Sequence, residues 1–307
     1  MAIASAVVQV PTAVSQAVRG FAMGTADIVP GVSGGTVALV LGIYERLIRN
    51  VHEGALVLKA LLRRDLHTAR TTLRGIEWIW LLSLLAGILA AVAVLSSVLE
   101  DLLNEHPIRM AALFFGLVAG SMIVATRLIG HIGRREVVAA AVVAVVLFVV
   151  LGLRSDTEVD AGTAEVVTQP WWVFFLAGSL AICAMILPGI SGSFILVMIG
   201  MYPEVLGAVN DRNFPILLAT AAGCVVGLAL FSSLLTWALD HHHDVVLAAM
   251  VGLMLGSLRV LWPWPGGTET TTLAAPSGDV VVPVLLALLG FGVVLAVDRI
   301  AAAVSDG

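Results

Sequence analysis

Long apolar stretches dominate this chain and restrict it to very few folds. Six of them are about 20 residues long, which is enough for a helix to cross the hydrocarbon core of a bilayer. They lie at roughly 78–99, 109–127, 137–153, 214–239, 245–262 and 281–298. Only 12% of the 307 residues are charged, against roughly 25% in a soluble domain. So little charge cannot cover a soluble surface, and the sequence predicts an all-α integral membrane protein.

Two further apolar regions are interrupted near their middle by a Pro-Gly pair. The pairs are Pro30-Gly31 in the region 20–48 and Pro188-Gly189 in the region 171–208. Proline removes a helix donor and disfavours helix in the residue before it. The arm before the first pair, residues 20–29, would make a helix of about 15 Å, half the hydrocarbon thickness. We therefore predict two re-entrant hairpins, each of which enters the membrane, turns and leaves on the same side. Residues 1–18 are expected to form a short peripheral segment.

The sequence around the two Pro-Gly pairs is repeated. The first copy reads DIVPGVSGGTVALVLGIYERL from Asp27 to Leu47, and the second reads MILPGISGSFILVMIGMYPEV from Met185 to Val205. At an offset of 158 residues, Pro30, Gly31, Ser33, Gly34, Gly42 and Tyr44 recur as Pro188, Gly189, Ser191, Gly192, Gly200 and Tyr202. At an offset of 136, Gly87, Ser96, Ser97, Gly116, Gly120 and Ser121 recur as Gly223, Ser232, Ser233, Gly252, Gly256 and Ser257. We therefore expect a first repeat in 1–153 and a second in 171–307, each a hairpin plus three spanning helices.

Three crossings per repeat would turn the second repeat upside down relative to the first. The basic residues test this orientation independently. With the segment 46–77 in the cytoplasm, twelve of the sixteen Lys and Arg residues fall on the cytoplasmic side. The loops 100–108, 154–170 and 263–280 then lie outside, and they are acid-rich or lack Lys and Arg. We expect an inverted repeat in a bacterial cytoplasmic membrane with both termini cytoplasmic, and inverted repeats with broken helices are typical of transporters.

The residues at the two hairpin turns could bind an anion. Each turn precedes an apolar helix, whose unpaired N–H groups and dipole favour negative charge at its start. Glycines let a ligand approach the backbone, and hydroxyl groups add donors. The candidate phosphate ligands are Gly31, Ser33, Gly34, Gly35 and Thr36 in the first turn and Gly189, Ser191, Gly192 and Ser193 in the second. Alternatively, these residues only permit a turn and cap the helices, and capping is expected in part.

Asp27 is the only acidic residue that these assignments place within a membrane segment. A carboxylate there is costly and commonly functional, which makes Asp27 a candidate proton-coupling group. The alternative is a structural role, with the carboxylate bound to amides of the first turn or to an arginine. Met185 occupies the matching position in the second hairpin, so the two halves differ here.

Three arginines stand at the ends of predicted helices. Arg109 and Arg259 lie near outer ends and could attract a phosphate in the outer leaflet, while Arg127 lies at an inner end. Arginine suits phosphate because its planar fork binds two oxygens at once. Each of them could instead extend to the lipid headgroups without a specific ligand.

The run His241, His242 and His243 raises the question of a metal site. Consecutive residues on a helix do not share a face, and no further ligands cluster with them in the sequence. We place the three histidines in a short cytoplasmic loop and predict neither a metal nor a cofactor.

The motifs DIVPGVSGGT and MILPGISGS, together with GIYE and GSLRVLWPW, resemble a bacterial family of polyprenyl-phosphate transporters. The resemblance covers roughly residues 19–265. It implies a multi-pass transporter that returns undecaprenyl phosphate to the cytoplasmic leaflet, with the lipid and the membrane as partners and no nucleic acid. It also implies the core of the site, namely Asp27, Pro30, Gly31, Ser33, Gly34, Gly35, Thr36, Pro188, Gly189, Ser191, Gly192 and Arg259.

Two other functions remain open at this point. Membrane undecaprenyl-pyrophosphate phosphatases also have inverted repeats and a Pro-Gly-x-Ser loop, but an arginine follows the serine and a partner helix is rich in glutamate. Here Gly34 and Gly192 follow the serines, and no membrane segment holds paired glutamates. A transporter or channel for small soluble anions would fit the turns equally well, because only the family resemblance favours a lipid.

Overall fold

The computed structural model describes residues 2–29, 32–153, 169–267, 270 and 272–305, with side chains described within 13–299. These residues form twelve helices in chain order. The part expected to form the first repeat contains α1 (Ala2–Asp27), α2 (Gly34–Val40), α3 (Tyr44–Leu62), α4 (Leu66–Gly75), α5 (Trp78–Glu105), α6 (Pro107–Arg127) and α7 (Arg134–Gly152). The part expected to form the second contains α8 (Trp171–Ile186), α9 (Gly192–Met198), α10 (Tyr202–Asn210), α11 (Phe214–Ser257) and α12 (Val281–Ser305).

Five of the helices in the described part of the chain are long and apolar enough to cross a membrane, namely α5, α6, α7, α11 and α12. The number becomes six if the bent pair α9 and α10 counts as one span. The protein is therefore an all-helical, multi-pass membrane protein.

Helix α11 combines the two spans predicted at 214–239 and 245–262. Its 44 residues would extend about 66 Å, more than twice the hydrocarbon thickness. The backbone leaves helical geometry at His242, with φ −140° and ψ 41°, and this kink divides α11 into two halves. The histidines therefore lie at a break inside a nearly continuous helix, where a short loop was expected. The second half also ends at Ser257, five residues before the predicted end.

The first helix is much longer than the short arm expected from residues 20–29. Helix α1 has 26 residues, or about 39 Å, and it includes most of the segment expected to be peripheral. The two glycines within it, Gly20 and Gly24, do not end the helix, because the backbone of α5 packs directly against them. The segment 46–77, which was expected to be cytoplasmic, contains most of α3 and all of α4.

Each hairpin has a second break that the sequence argument missed. The chain α1–α2–α3 is interrupted before α2 and again at Leu41–Ile43, and α8–α9–α10 has the same two interruptions. Gly42 and Gly200 stand at these second breaks with φ +66° and +72°, a left-handed conformation that glycine adopts without steric cost. The helices α9 and α10 meet there at 113°. The sequence did contain a signal for these second breaks, because Gly42 and Gly200 correspond at the offset of 158.

Close helix pairs account for most of the packing, above all α1 with α5, α8 with α11, α6 with α12 and α7 with α11. Glycines bring the backbones of these pairs into contact. A Cβ atom would overlap a carbonyl of the partner helix at Gly20 (Leu84), Gly87 (Ala17), Gly178 (Thr220), Gly223 (Phe175), Gly116 (Ala287) and Gly252 (Ala140). The contacts of Gly20 and Gly87 between α1 and α5 recur as those of Gly178 and Gly223 between α8 and α11. The α1 residues correspond to α8 residues at the offset of 158, and the α5 residues correspond to α11 residues at the offset of 136. The largest buried core lies where the first hairpin meets α6 and α11, around Leu39, Ile43, Val118, Met250 and Met254.

Candidate functional site

The turns that precede α2 and α9 contact one another. The hydroxyl of Ser33 donates a hydrogen bond to the carbonyl of Met185 at 3.3 Å. In the opposite direction, the amide of Gly189 donates to the Thr36 hydroxyl oxygen at 3.0 Å. Ser33 and Thr36 are each only 1% exposed. The structure thus brings together residues of the two turns that lie more than 150 positions apart in the sequence.

Tyr44 adds a third link that the sequence argument did not assign. Its hydroxyl donates to the carbonyl of Ile186 at 3.2 Å, and its side chain is 2% exposed. Gly35 also faces this carbonyl, since a Cβ there would lie 2.8 Å from the oxygen. Tyr202, which matches Tyr44 in the repeat, is 38% exposed. The matched tyrosines marked the position, but only the structure distinguishes their surroundings.

The start of α2 is already occupied by groups of the protein itself. The Asp27 carboxylate accepts a hydrogen bond from the amide of Gly34 at 2.6 Å. The Ser33 hydroxyl oxygen caps the helix by accepting from the amide of Gly35 at 3.1 Å. A carboxylate at this end of a helix is favourable because the unpaired amides carry partial positive charge. Asp27 therefore stands where an external anion would bind to α2.

The start of α9 is different. Ser191 has extended backbone geometry and makes no side-chain capping bond. Its hydroxyl lies 2.8 Å from that of Ser193, and Ser193 is exposed. Gly192 is buried, with room for no more than a hydrogen, because a Cβ would lie 2.9 Å from the Ala181 carbonyl oxygen. The second turn therefore offers accessible hydroxyl groups, whereas those of the first turn are enclosed.

Of the two proline-glycine pairs, only the second can be described. Pro30 and Gly31 lie outside the described residues. Pro188 is fully buried, and Gly189 has φ +85°. A Cβ on Gly189 would lie 2.9 Å from the Met254 Cα, so this turn rests directly on the backbone of α11.

An apolar cavity lies beside each turn. The cavity at the first hairpin measures about 270 Å³ and the one at the second about 280 Å³. Five lining residues correspond at the offset of 158, namely Val32, Thr36, Val37, Val40 and Leu41 with Ile190, Phe194, Ile195, Met198 and Ile199. Ser121 and Ser257, which correspond at the offset of 136, line the two cavities as well. Each turn thus has hydrocarbon-lined space next to its polar groups.

The three candidate arginines have different surroundings. Arg259 lines a groove of about 540 Å³ and lines neither of the cavities beside the turns. Arg109 approaches the carboxylate of Asp279 to 3.8 Å, and Arg127 pairs with Asp298 at 2.7 Å. Arg109 and Arg127 therefore have acidic partners, whereas the guanidinium of Arg259 stacks over the ring of Phe148 at 4.6 Å.

One of the three histidines, His243, belongs to an ion-pair cluster at the kink of α11. The Nε2 atom of His243 lies 2.9 Å from a carboxylate oxygen of Glu45 at the start of α3, and its Nδ1 atom lies 3.3 Å from Asp244. The Glu45 hydrogen bond raises the pKa of His243, and the same bond lowers the pKa of Glu45. His241 stacks against the ring of Trp237, and His242 meets the same ring edge-on. Within the described chain, no group of three or more potential metal ligands was found.

Comparison with known proteins agrees with the motifs. Residues 23–278 match the family described as VCA0040-like, undecaprenyl phosphate translocase-like. A Vibrio cholerae protein named polyprenyl-phosphate transporter is 38% identical over 275 residues, covering 87% of this chain and 82% of its own. A Staphylococcus aureus protein of the same name is 31% identical over 295 residues, covering 92% and 95%. No solved structure matches. The resemblance predicted from the motifs is confirmed, and the chain belongs to the undecaprenyl phosphate translocase-like family.

Proposed function

We propose that this protein transports polyprenyl phosphate, and that it returns the lipid from the outer to the cytoplasmic leaflet of a bacterial cytoplasmic membrane. The relatives carry the name polyprenyl-phosphate transporter. The observation that carries the proposal is the contact of the two turns, where Gly189 donates to Thr36 and Ser33 donates to Met185. Two broken helices that meet in one place are where transporters bind their substrates.

The two halves are proposed to be inverted repeats, with the segment 46–77 and both termini cytoplasmic. The recurrence of the α1–α5 glycine contacts in α8–α11 supports the repeat. The distribution of Lys and Arg supports the orientation. In a variant without native cysteines, a cysteine at Thr68 should react with an impermeant reagent only after permeabilisation. A cysteine at Thr163, which lies outside the described residues, should react in intact cells. The reverse pattern would contradict the inverted arrangement.

The phosphate is proposed to bind to amides and hydroxyls of both turns. The hydroxyls of half-buried Ser191 and exposed Ser193 are the first groups available, because among the described residues they bond only to each other. The amides of Gly34 and Gly35 become available only when their bonds to Asp27 and Ser33 open. Gly31, Thr36, Gly189 and Gly192 complete the proposed phosphate site at the turns. Arg259, which was expected in the same site, lines a separate groove. The adjacent apolar cavities favour a lipid over a small soluble anion, since they leave room for hydrocarbon next to the headgroup.

Asp27 is proposed to couple transport to proton uptake. Inward movement of an anion opposes the membrane potential by about 2.3 kcal/mol per charge per 100 mV, and a proton carried along cancels one charge. Ionised Asp27 holds the amide of Gly34, so its carboxylate and a substrate phosphate compete for the same donor. Protonation removes the negative charge and weakens that bond, which frees the amide for the phosphate. Proton uptake and phosphate binding would then favour one another.

Reconstituted vesicles test both the function and the coupling. The parent should exchange a polyprenyl phosphate between leaflets and accumulate it across a pH gradient. Asp27→Asn should lose gradient-driven accumulation while it keeps some exchange, whereas Asp101→Asn, which removes an exposed carboxylate from the end of α5, should behave like the parent. Equal accumulation by Asp27→Asn and the parent would leave Asp27 a structural residue. Transport of inorganic phosphate without exchange of the lipid would contradict the lipid function itself.

A further inference from the structure

The groove around Arg259 is a second place in this protein that suits a lipid phosphate. It lies between α7 and the end of α11, and its other walls come from α6 and the segment after Trp262. Phe115, Phe148, Leu255 and Leu273 contribute to an apolar lining, and Arg259 is the one charged residue among the described residues that form it. Leu255 and Leu273 are 45% and 47% exposed, so the groove is open at its side.

The guanidinium of Arg259 is held in this apolar setting without an acidic partner among the described residues. Its Nε atom is buried and has no hydrogen-bond partner there. The group fits against the backbone at Gly152, where a Cβ atom would come within 2.6 Å of the NH2 nitrogen. A buried donor of a charged group is costly when it is left unpaired. Because Nε itself is buried, an anion in the groove would bind the terminal nitrogens, which form no ion pair with the described residues.

The lining determines what kind of anion fits. A small soluble anion would gain from the guanidinium but nothing from the aromatic and aliphatic walls. A phosphate monoester with a long hydrocarbon chain matches both, because the planar fork binds phosphate oxygens while the chain covers the apolar surface.

The groove is separate from the cavity beside the second turn. Ser257 and Val260 face that cavity, whereas Arg259 and Trp262 face the groove. Helix α7 is shared in the same way, since Leu147 lines the cavity and its neighbour Phe148 lines the groove. The two sites therefore lie on either side of the contact between α7 and α11.

We propose that the groove around Arg259 is a lateral capture site, which binds a polyprenyl phosphate from the outer leaflet before the lipid reaches the two turns. The assignment to the outer leaflet rests on the proposed function and topology. The indole of Trp262 donates to the carbonyl of Ala274 at 2.9 Å, which holds Leu273 and Ala274 against the groove. The capture site thus has part of its wall from two residues that are expected to lie outside the membrane.

Binding measurements on the purified full-length protein in nanodiscs test this proposal. The probes are farnesyl phosphate, farnesol and inorganic phosphate, and a diazirine analogue of farnesyl phosphate maps the contacts by mass spectrometry. The analogue should label peptides from α7 and from the end of α11. Arg259→Gln should weaken farnesyl phosphate binding about 10- to 100-fold, the range for lost hydrogen bonds to a charged group, with little effect on farnesol. Arg109→Gln, which removes an arginine paired with Asp279, should bind like the parent.

A second variant tests the same site if Arg259→Gln fails to fold. Gly152→Ala keeps the charge but forces the guanidinium to move, and it should also weaken binding. If both variants bind farnesyl phosphate within twofold of the parent, or if labelling avoids α7 and α11, the capture site is refuted.

A variant of the turns separates this proposal from the proposed function. Ser191→Ala should impair leaflet exchange and leave binding in the groove unchanged. Normal exchange by the parent together with normal binding by Arg259→Gln would refute only the capture site. Arginine-dependent binding without any exchange of the lipid by the parent would support the site and refute the transport function.

Discussion

Removal of the Thr36 hydroxyl tests the contact between the two turns most directly. Thr36→Val keeps the shape of the side chain but deletes the oxygen that accepts from the amide of Gly189. Thr36 is 1% exposed, and Gly189 is buried against α11. Water therefore cannot replace the lost acceptor without a local rearrangement, and the amide is left unpaired.

The expected loss follows from the cost of an unpaired buried donor, which is about 1–3 kcal/mol. With an unfolding entropy of about 2.1 cal/mol/K per residue, 1 kcal/mol lowers the Tm of a chain of 307 residues by about 1.5 °C. We therefore expect Thr36→Val to unfold about 1.5 to 5 °C below the parent.

Thr25→Val is the matched control for this experiment. Thr25 lines the same cavity, but its hydroxyl only donates back to the Phe21 carbonyl in its own helix, at 2.8 Å. Its removal leaves no buried donor unpaired, so Tm should change little. Thermal unfolding in detergent, followed with a dye that reacts with Cys183 and Cys224 as they become exposed, measures both variants. Equal Tm values for Thr36→Val and Thr25→Val would refute a stabilising role for the Gly189 bond.

Two further predictions concern packing and pH. Gly87→Ala should lower the free energy of unfolding by about 1–3 kcal/mol, because its Cβ meets the backbone of α1. Gly54→Ala is the control, since nothing lies within 4 Å of the added Cβ, and it should be neutral or slightly stabilising in the same thermal assay. The Glu45 bond raises the pKa of His243, so its stabilisation is complete below the ordinary histidine pKa of about 6.5 and is lost as pH rises through the raised value. The Tm difference between the parent and His243→Asn should thus be larger at pH 6 than at pH 9. Glu45→Gln should reduce this dependence without removing it, because Asp244 also raises the pKa of His243. A difference that grows with pH would contradict the assignment.

The helical membrane architecture could be predicted from the sequence because apolar length alone determines which segments can cross a bilayer. The boundaries that depend on tertiary contacts could not. Nothing local indicates that Gly20 and Gly24 would continue a helix, since the partner backbone that accommodates them belongs to α5. No proline or glycine lies beside His242 to indicate a kink, so the sequence suggested a loop where the helix only bends.

The candidate site, too, could be predicted from the sequence only in part. The Pro-Gly-x-Ser motif identified the residues at the turns, because proline, glycine and serine have strong local preferences there. It could not show which donors were already used. Asp27 binds Gly34 seven residues ahead, and Tyr44 reaches a carbonyl of the other half of the chain. Such partnerships depend on the packing of both hairpins, which no single motif encodes.

The backbone contacts at glycine limit how this molecule can move. If α1 slid by one turn along α5, a shift of about 5.4 Å, the Ala17 carbonyl that now faces Gly87 would meet Ser83 or Ala91, whose Cβ atoms do not fit there. Gly178 and Gly223 oppose sliding of α8 along α11 in the same way. We therefore expect each helix pair to move as one unit. In the proposed transport cycle, a change of access would then come from rotation at the breaks on either side of α2 and α9, while the long helices keep their partners.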